Sequence, residues 1–213
     1  MAEIIFISGI DTDAGKSYAT GHLANMLSAQ GKRVITQKFI QTGCTEESED
    51  IILHRKIMGL PMLDDDTDHT TAPVIFSYPA SAQLAAAMDG RTIELDAIDR
   101  ATASLASRYD VVLIEGAGGL MVPITDDFFA IDYAQTRNIP ISLVTNSRLG
   151  SINHTILSLE AIKNRGIKLH SILYNRHFDN DAAISADTRA FVGRYVAKHS
   201  PETEIIDIPS INI

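Results

Sequence analysis

The sequence predicts a single-domain α/β fold, with a mainly parallel sheet flanked by helices. Short β-branched runs alternate with longer helical patterns, which implies successive βαβ units. The chain has 213 residues. That suits one domain, at roughly 100–200 residues per domain with α/β domains often a little longer. A chain of this length buries about 70% of its unfolded surface, so it needs no disulfide or structural metal to fold. No repeat, low-complexity segment or linker breaks the pattern, and the domain is expected to span residues 1–213.

Ile4–Ile7 is an apolar run of strand length, and Ser17–Gln30 has helical spacing with Gly31 as its stop. Arg33–Phe39 reads as the second strand. Asp50–Met58 reads as a short helix ended by Gly59 and Pro61. Residues 60–80 are the hardest to assign. They carry the acidic run Asp64–Asp68 followed by His69, read as a solvated loop rather than a metal site, and then Pro73 and Pro79. Helical patterning returns over 81–89 and 94–108, and Asp110–Glu115 is a strand with a polar end. Ala130–Thr136 predicts a helix, Ile139–Thr145 a strand, and Ser151–Arg165 a helix closed by Gly166. Leu169–Asn175 and Glu204–Ile208 are strands on either side of a helix over Ala182–Lys198. Ligands of such sheets sit beyond the carboxyl ends of the strands. The segments that matter are therefore 8–17, 38–44, 115–124, 145–151 and 175–178.

The composition excludes several classes. A 45% hydrophobic and 21% charged chain is neither disordered nor collagen-like. Eighteen Lys and Arg against 27 Asp and Glu give a net charge of −9, which disfavours non-specific binding to nucleic-acid phosphates. A local basic pocket for an anion remains compatible with that balance. Cys44 is the single cysteine, so no intrachain disulfide forms and a reducing compartment is expected. The N-terminal residues do not read as a secretory signal, and no apolar stretch approaches the ~20 residues that span a bilayer. The expected location is the cytoplasm. The seven histidines show no metal-ligand spacing of the H-E-x-x-H kind.

The first strand leads into Gly9-Ile10-Asp11-Thr12-Asp13-Ala14-Gly15-Lys16-Ser17 and then a helix. This is close to the phosphate-binding P-loop, with one extra residue between the glycines, and it makes the fold P-loop NTPase-like. Glycines let backbone N–H groups turn toward phosphate oxygens, and the helix N-terminus favours the anion. Lys16 supplies a flexible charge for the β- and γ-phosphates, and the Ser17 hydroxyl can bind Mg²⁺. The longer loop would reach closer to the γ-phosphate.

Mg²⁺ on a nucleotide takes one or two carboxylates plus phosphates and water. Glu115 ends an apolar strand and precedes Gly116-Ala117-Gly118-Gly119, which puts a carboxylate at the sheet edge beside a loop that permits close backbone approach. Asp50 lies at a helix start, where the helix dipole alone favours an acid; a metal ligand and a dipole partner are equally compatible with that position. Lys38, near the end of strand two, is either an exposed strand-end lysine or a cation for a transferring phosphoryl group.

Together these segments resemble the dethiobiotin synthetase family. Gly9–Ser17 matches its G-x-D-T-x-x-G-K-[ST] loop, and Lys38–Gly43 its K-P-x-x-[ST]-G segment, with Phe39 in place of proline. Glu115–Gly119 matches E-G-A-G-G and Gly150–His154 matches G-x-I-N-H; the likeness runs from residue 4 to about 210. The resemblance implies ATP- and Mg²⁺-dependent closure of 7,8-diaminopelargonate with CO₂ to dethiobiotin, through a carbamate and a mixed anhydride. It implies Lys38 and Lys16 as catalytic residues and Ser17, Asp50 and Glu115 as the Mg²⁺ set. Nucleotide contacts would come from Asp13, Ala14, Gly15, Lys16, Ser17 and Tyr18, from Asp50, and from Glu115, Gly116, Ala117 and Gly118. Asn175 would read adenine, with Asp207, Ile208 and Pro209 along the nucleotide edge. Thr12 and Thr42 would touch substrate. Gly150, Ser151, Ile152 and Asn153 would hold its carboxylate tail from the neighbouring subunit of a homodimer.

Two other classes fit less well. A partner-regulated P-loop ATPase of the partition kind would have a second lysine after the first loop glycine, where this chain has Ile10 and Asp11. A small-molecule kinase would carry an arginine-rich lid, and no such cluster is present in the sequence.

Overall fold

The computed structural model describes residues 2–210; Met1 and residues 211–213 of the expected span lie outside the described residues. The chain order is β1 (Glu3–Gly9), α1 (Lys16–Ala29), β2 (Val34–Lys38), β3 (Gln41–Thr42), α2 (Glu49–Met58), α3 (Asp64–Thr67) and β4 (Ile75–Phe76). It continues with α4 (Ala82–Met88), α5 (Leu95–Ala106), β5 (Val111–Gly119), β6 (Pro123–Thr125), β7 (Phe128–Phe129), α6 (Ala130–Thr136) and β8 (Ile141–Asn146). It closes with α7 (Ser151–Asn164), β9 (Leu169–Asn175), a 3₁₀ turn (Arg176–Phe178), α8 (Ala182–His199) and β10 (Glu204–Ile208).

Six strands form one sheet in the order β10-β9-β8-β1-β5-β2, and every pairing within it is parallel. Side chains alternate across a strand, and both faces of this sheet are apolar because helices cover both. Ile5 and Ile7 of β1, Val111 and Leu113 of β5, and Val144 of β8 pack with Ala19, Leu23 and Ala24 of α1. Phe6, Val112, Ile114 and Leu143 face the other way, toward Ile98 and Leu105 of α5 and Tyr133 of α6. The chain leaves β1 for β2 on one side and later builds β8, β9 and β10 on the other. The end of β1 is thus the topological switch point, where such sheets bind ligands.

The structure departs from the sequence reading in three places. β5 does not stop at Glu115 but runs through the glycines to Gly119, which pairs with Gly9 after a register shift in β1. Two short pairs, β3–β4 and β6–β7, stand beside the main sheet; each strand is two or three residues long, too short to show a period. The acidic run is not a solvated loop. Asp65 and Asp66 lie in the one-turn helix α3 and are buried, Asp65 against Arg108 and Asp66 against Arg55. Burial of those carboxylates is tolerated because each has a guanidinium partner.

Candidate active site

β1 delivers its chain into the loop that ends at Gly15, which has φ = 85°. A Cβ there would stand 2.1 Å from Asn175 Nδ2, so both the backbone conformation and the space demand glycine. No side chain caps α1 and no acid occupies its first turn, which leaves its leading amides suited to an anion. The Lys16 ammonium bonds to the loop carbonyls of Asp11 and Thr12 at 3.0 and 2.9 Å. Burial draws its pKa down to about 8, with the Glu115 charge opposing and Lys38 adding to the fall.

The register of the sheet places Lys38 of β2 directly beside Glu115 of β5. Both side chains point to the face covered by α1 and α2. Lys38 is therefore not an exposed strand-end lysine: it is only 5% exposed, and Glu115 is 1% exposed. Lys38 Nζ lies 2.9 Å from Glu115 Oε1 and is ion-paired with Asp50. Ser17 Oγ lies 2.6 Å from Asp50 Oδ1 and 2.9 Å from Glu115 Oε1. Burial by itself would neutralise Lys38, but Glu115 and Asp50 outweigh it and hold the pKa above the ordinary lysine value. Burial would likewise raise Glu115, yet Lys38 and then His54 keep its pKa well below the carboxylate range. Lys38 and Glu115 thus hold each other charged.

A hydroxyl and two carboxylates from three elements thus converge beside the phosphate loop. They are hard oxygen donors of the kind Mg²⁺ takes. Among the described residues no group of three or more His, Cys, Asp or Glu forms a complete metal cage. A metal held by Ser17, Asp50 and Glu115 would need phosphates and water to fill its remaining positions, which matches a metal–nucleotide complex.

Sequence reasoning missed His54. It is fully buried, with Nε2 2.6 Å from Glu115 Oε2 and Nδ1 3.0 Å from Thr36 Oγ1. The available signal was its place four residues after Asp50, on the same helical face. Phe39 also has a definite place. Its ring packs on Phe6 and Tyr133, and its backbone N–H donates to the Glu115 carbonyl at 2.8 Å. A proline there could not make that bond.

A cavity of about 490 Å³ opens at this end of the sheet. Its walls bring together Thr12, Asp13, Gly15, Lys16, Ser17 and Tyr18 of the loop and α1, and Lys38, Thr42 and Asp50 from the second unit. Glu115, Ala117, Gly118, Asn175 and Pro209 complete the expected residues that line it, and Ile40, Gln41, Leu53, His177 and Phe178 join them unforeseen. Ala14 lies behind the loop, its carbonyl accepting from Asn175 Nδ2 at 3.2 Å; the Gly116 carbonyl sits 3.4 Å from Lys38 Nζ. Asn175 Oδ1 accepts from the His177 N–H at 3.0 Å, so its side chain braces the loop. Ile208 is buried in the core, and Asp207 is engaged by Arg176 and Arg189 rather than lining the cavity. Gly150, Ser151, Ile152 and Asn153 form the start of α7 and do not line it either.

A phosphate-type loop at the switch point of a parallel sheet, with a buried acid beside it, places the protein in the P-loop NTPase-like class. A family model described as an AAA domain matches residues 3–212. The signal recognition particle receptor FtsY of Elizabethkingia anophelis in complex with GDP shares the fold at a TM-score of 0.55 and 14% identity. That match covers 96% of this chain and 56% of the receptor chain. The ATP-dependent dethiobiotin synthetase BioD 2 of Pasteurella multocida is 46% identical over 99% of this chain and all of its own length. The enzyme of the same name from Haemophilus influenzae is 51% identical over 85% of this chain and 95% of its own. The chain belongs to the dethiobiotin synthetase family.

Proposed function

We propose that this chain closes the ureido ring of dethiobiotin from 7,8-diaminopelargonate, CO₂ and ATP. The observation that carries this reading is Lys38, buried between Asp50 and Glu115 beside the phosphate loop. One substrate amine captures CO₂ as a carbamate. A carbamate oxygen attacks the γ-phosphorus, ADP leaves, and a carbamic–phosphoric anhydride forms. The second amine attacks the carbamate carbon, closes the ring and expels phosphate. Two anions must meet for this, so the work of the site is positioning and charge neutralisation. Lys16 holds the nucleotide phosphates, Lys38 lies where carbamate and γ-phosphate approach, and Thr12 and Thr42 orient the substrate. Ser17, Asp50 and Glu115 would hold Mg²⁺, which when bound offsets charge on the terminal phosphates. Incubation with ATP, Mg²⁺, diaminopelargonate and labelled bicarbonate should give acid-stable label in a cyclic urea. Acid destroys a free carbamate, so absence of stable label would defeat the reading.

The metal assignment has its own expected result. Asp50→Asn and Glu115→Gln should each raise the Mg²⁺ concentration at half-maximal activity, because fewer fixed oxygen ligands remain. Unchanged titration curves for both variants would remove these carboxylates from the metal site.

A homodimer with shared substrate sites belongs to the same proposal. Leu149, 92% exposed, and Leu157, 61% exposed, flank the Gly150–Asn153 turn, and an apolar groove bounded by Met121, Val122 and Leu157 runs beside it. These exposed apolar side chains support reading this side of the molecule as an interaction face, and two-fold dimers are the commonest use of one. The turn opens α7, whose dipole suits the substrate carboxylate. Asn153→Asp would repel that carboxylate. Mixed with Lys38→Ala and allowed to exchange subunits, it should regain activity above either parent. Proven exchange without rescue would argue against sites built from two chains. Among the described residues no helix is long and apolar enough to cross a membrane; with Cys44 free, we assign the activity to the cytoplasm.

A further inference from the structure

Glu115 uses its two oxygens differently. Oε1 faces Lys38 and Ser17, at 2.9 Å from each. Oε2 faces away from the cavity, toward the buried imidazole of His54 at 2.6 Å. Behind that ring, Thr36 Oγ1 lies 3.0 Å from Nδ1 and also accepts from Arg55 Nη1 at 2.9 Å. Arg55 in turn is clamped by both oxygens of Asp66 at 2.9 and 2.8 Å. A hydrogen-bonded chain thus runs from the acidic helix α3 to the carboxylate beside the phosphate loop.

The end of the chain at Glu115 has a fixed direction. An ionised carboxylate can only accept, so Nε2 carries a proton aimed at Glu115 Oε2. At the far end Arg55 can only donate, so it occupies one acceptor position of Thr36, whose hydroxyl meets Nδ1. A glutamate side chain has three torsions, and without His54 its inner oxygen would be buried without that partner, an arrangement side chains avoid by turning. Among the described residues no other side chain bonds to Oε2.

We propose that His54 is a positioning residue for the metal–nucleotide site: it ties Glu115 Oε2 inward, so that only Oε1 is offered beside Ser17 and Asp50, and thereby favours a small octahedral cation over a larger one. The proposal rests on the reading of Ser17, Asp50 and Glu115 as the Mg²⁺ set. Mg²⁺ needs few, well-placed oxygens, whereas Ca²⁺ takes more and readily binds both oxygens of one carboxylate. Partners that orient a metal ligand without touching the metal typically change affinity 10–100-fold when lost. Freeing Oε2 should therefore weaken binding of the small ion and improve that of Ca²⁺ relative to it. A residue that only filled the core would not change this ratio.

The test is binding of Mn²⁺, a spectroscopic substitute for Mg²⁺, to the full-length protein with ADP, read by electron paramagnetic resonance with Ca²⁺ as competitor. His54→Leu should bind Mn²⁺ about 10–100-fold more weakly and should need relatively less Ca²⁺ to displace it. In His54→Gln the amide nitrogen can stand near the place of Nε2, so affinity and selectivity should return most of the way. His54→Asn, whose amide reaches only toward the place of Nδ1, should not recover them. Should His54→Leu fail to fold, the Gln and Asn variants still decide the matter, since equal Mn²⁺ affinity and Ca²⁺ competition in the two overturns the proposal. Glu115→Gln separates the two levels. If it weakens Mn²⁺ while the His54 variants match the wild type, the role of His54 alone falls. If Glu115→Gln leaves Mn²⁺ binding unchanged, the metal assignment falls and takes the proposal with it.

Discussion

Lys38→Ala is expected to lose ~10²–10³ in turnover, the range for removing one charge-stabilising donor from a transition state, while still binding ATP. Lys38 is not part of the phosphate loop, whose backbone geometry depends on Gly15 and whose own ammonium is Lys16. Its contribution should come when negative charge gathers on the carbamate and the transferring phosphoryl group. The lysine suits that task because its two acidic neighbours hold it protonated despite burial. They also fix its position, since the side chain is gripped by Asp50 and Glu115 at once. Lys38→Arg should rescue poorly, because a planar guanidinium does not fit a site built around a compact ammonium. The measurement is a single-turnover rate alongside an independent ATP titration for each variant. Near wild-type turnover in Lys38→Ala would remove this residue from the mechanism.

Asp66→Ala is expected to destabilise the protein by about 3–5 kcal/mol, the cost of leaving a buried partner charge uncompensated. Both carboxylate oxygens bond to Arg55, and the Leu63 N–H and Thr71 hydroxyl donate to them at 2.8 and 2.7 Å. Removing the carboxylate strands a buried guanidinium and two further donors. The double variant Asp66→Leu with Arg55→Met should recover part of the loss, since no lone charge remains. The effect should depend on pH with a definite sign. Burial opposes ionisation of Asp66, but Arg55, the Leu63 amide and Thr71 prevail and hold its pKa below the ordinary value. Its stabilisation is then complete above the unfolded carboxylate pKa and is lost as pH falls through the lower, folded one. Urea unfolding at pH 7 and pH 3 should therefore show the gap between wild type and Asp66→Ala narrowing in acid. A gap that stays constant would separate Asp66 ionisation from stability.

The parts of the fold legible in the sequence are those set by neighbours in the chain. The apolar runs of β1, β8 and β9 and the helical spacing of α1 and α7 report burial directly, and the glycine loop carries its chemistry in consecutive residues. The site was harder to read, because its electrostatics join residues distant in sequence. The Lys38–Glu115 contact spans 77 positions and depends on the β2–β5 register, which no local pattern states. The charge of Lys38 suggested exposure, and only its cross-strand partner explains its burial. The acidic run looked solvated for the same reason, since the arginines that allow Asp65 and Asp66 inside lie in α2 and just beyond α5. His54 has no motif at all; its meaning comes from Thr36 on one side of the ring and Glu115 on the other. The turn at Gly150 illustrates a different limit, since the single chain keeps it outside the cavity, and the role proposed for it would depend on a second copy that no single-chain pattern states.

The brace between Asn175 and the phosphate loop also bears on the order in which the molecule matures. The Asn175 amide meets the Ala14 carbonyl across 161 positions, and Arg148 holds Asp11 of the same loop across 137. Contacts that far apart close late, because the intervening chain must first be collected. During synthesis the first strand and its glycine loop emerge long before either tether does. The loop is thus made early but finished late. A ribosome-bound chain that ends short of β9 carries every residue of the glycine loop but lacks the Asn175 amide that braces it in the complete sheet.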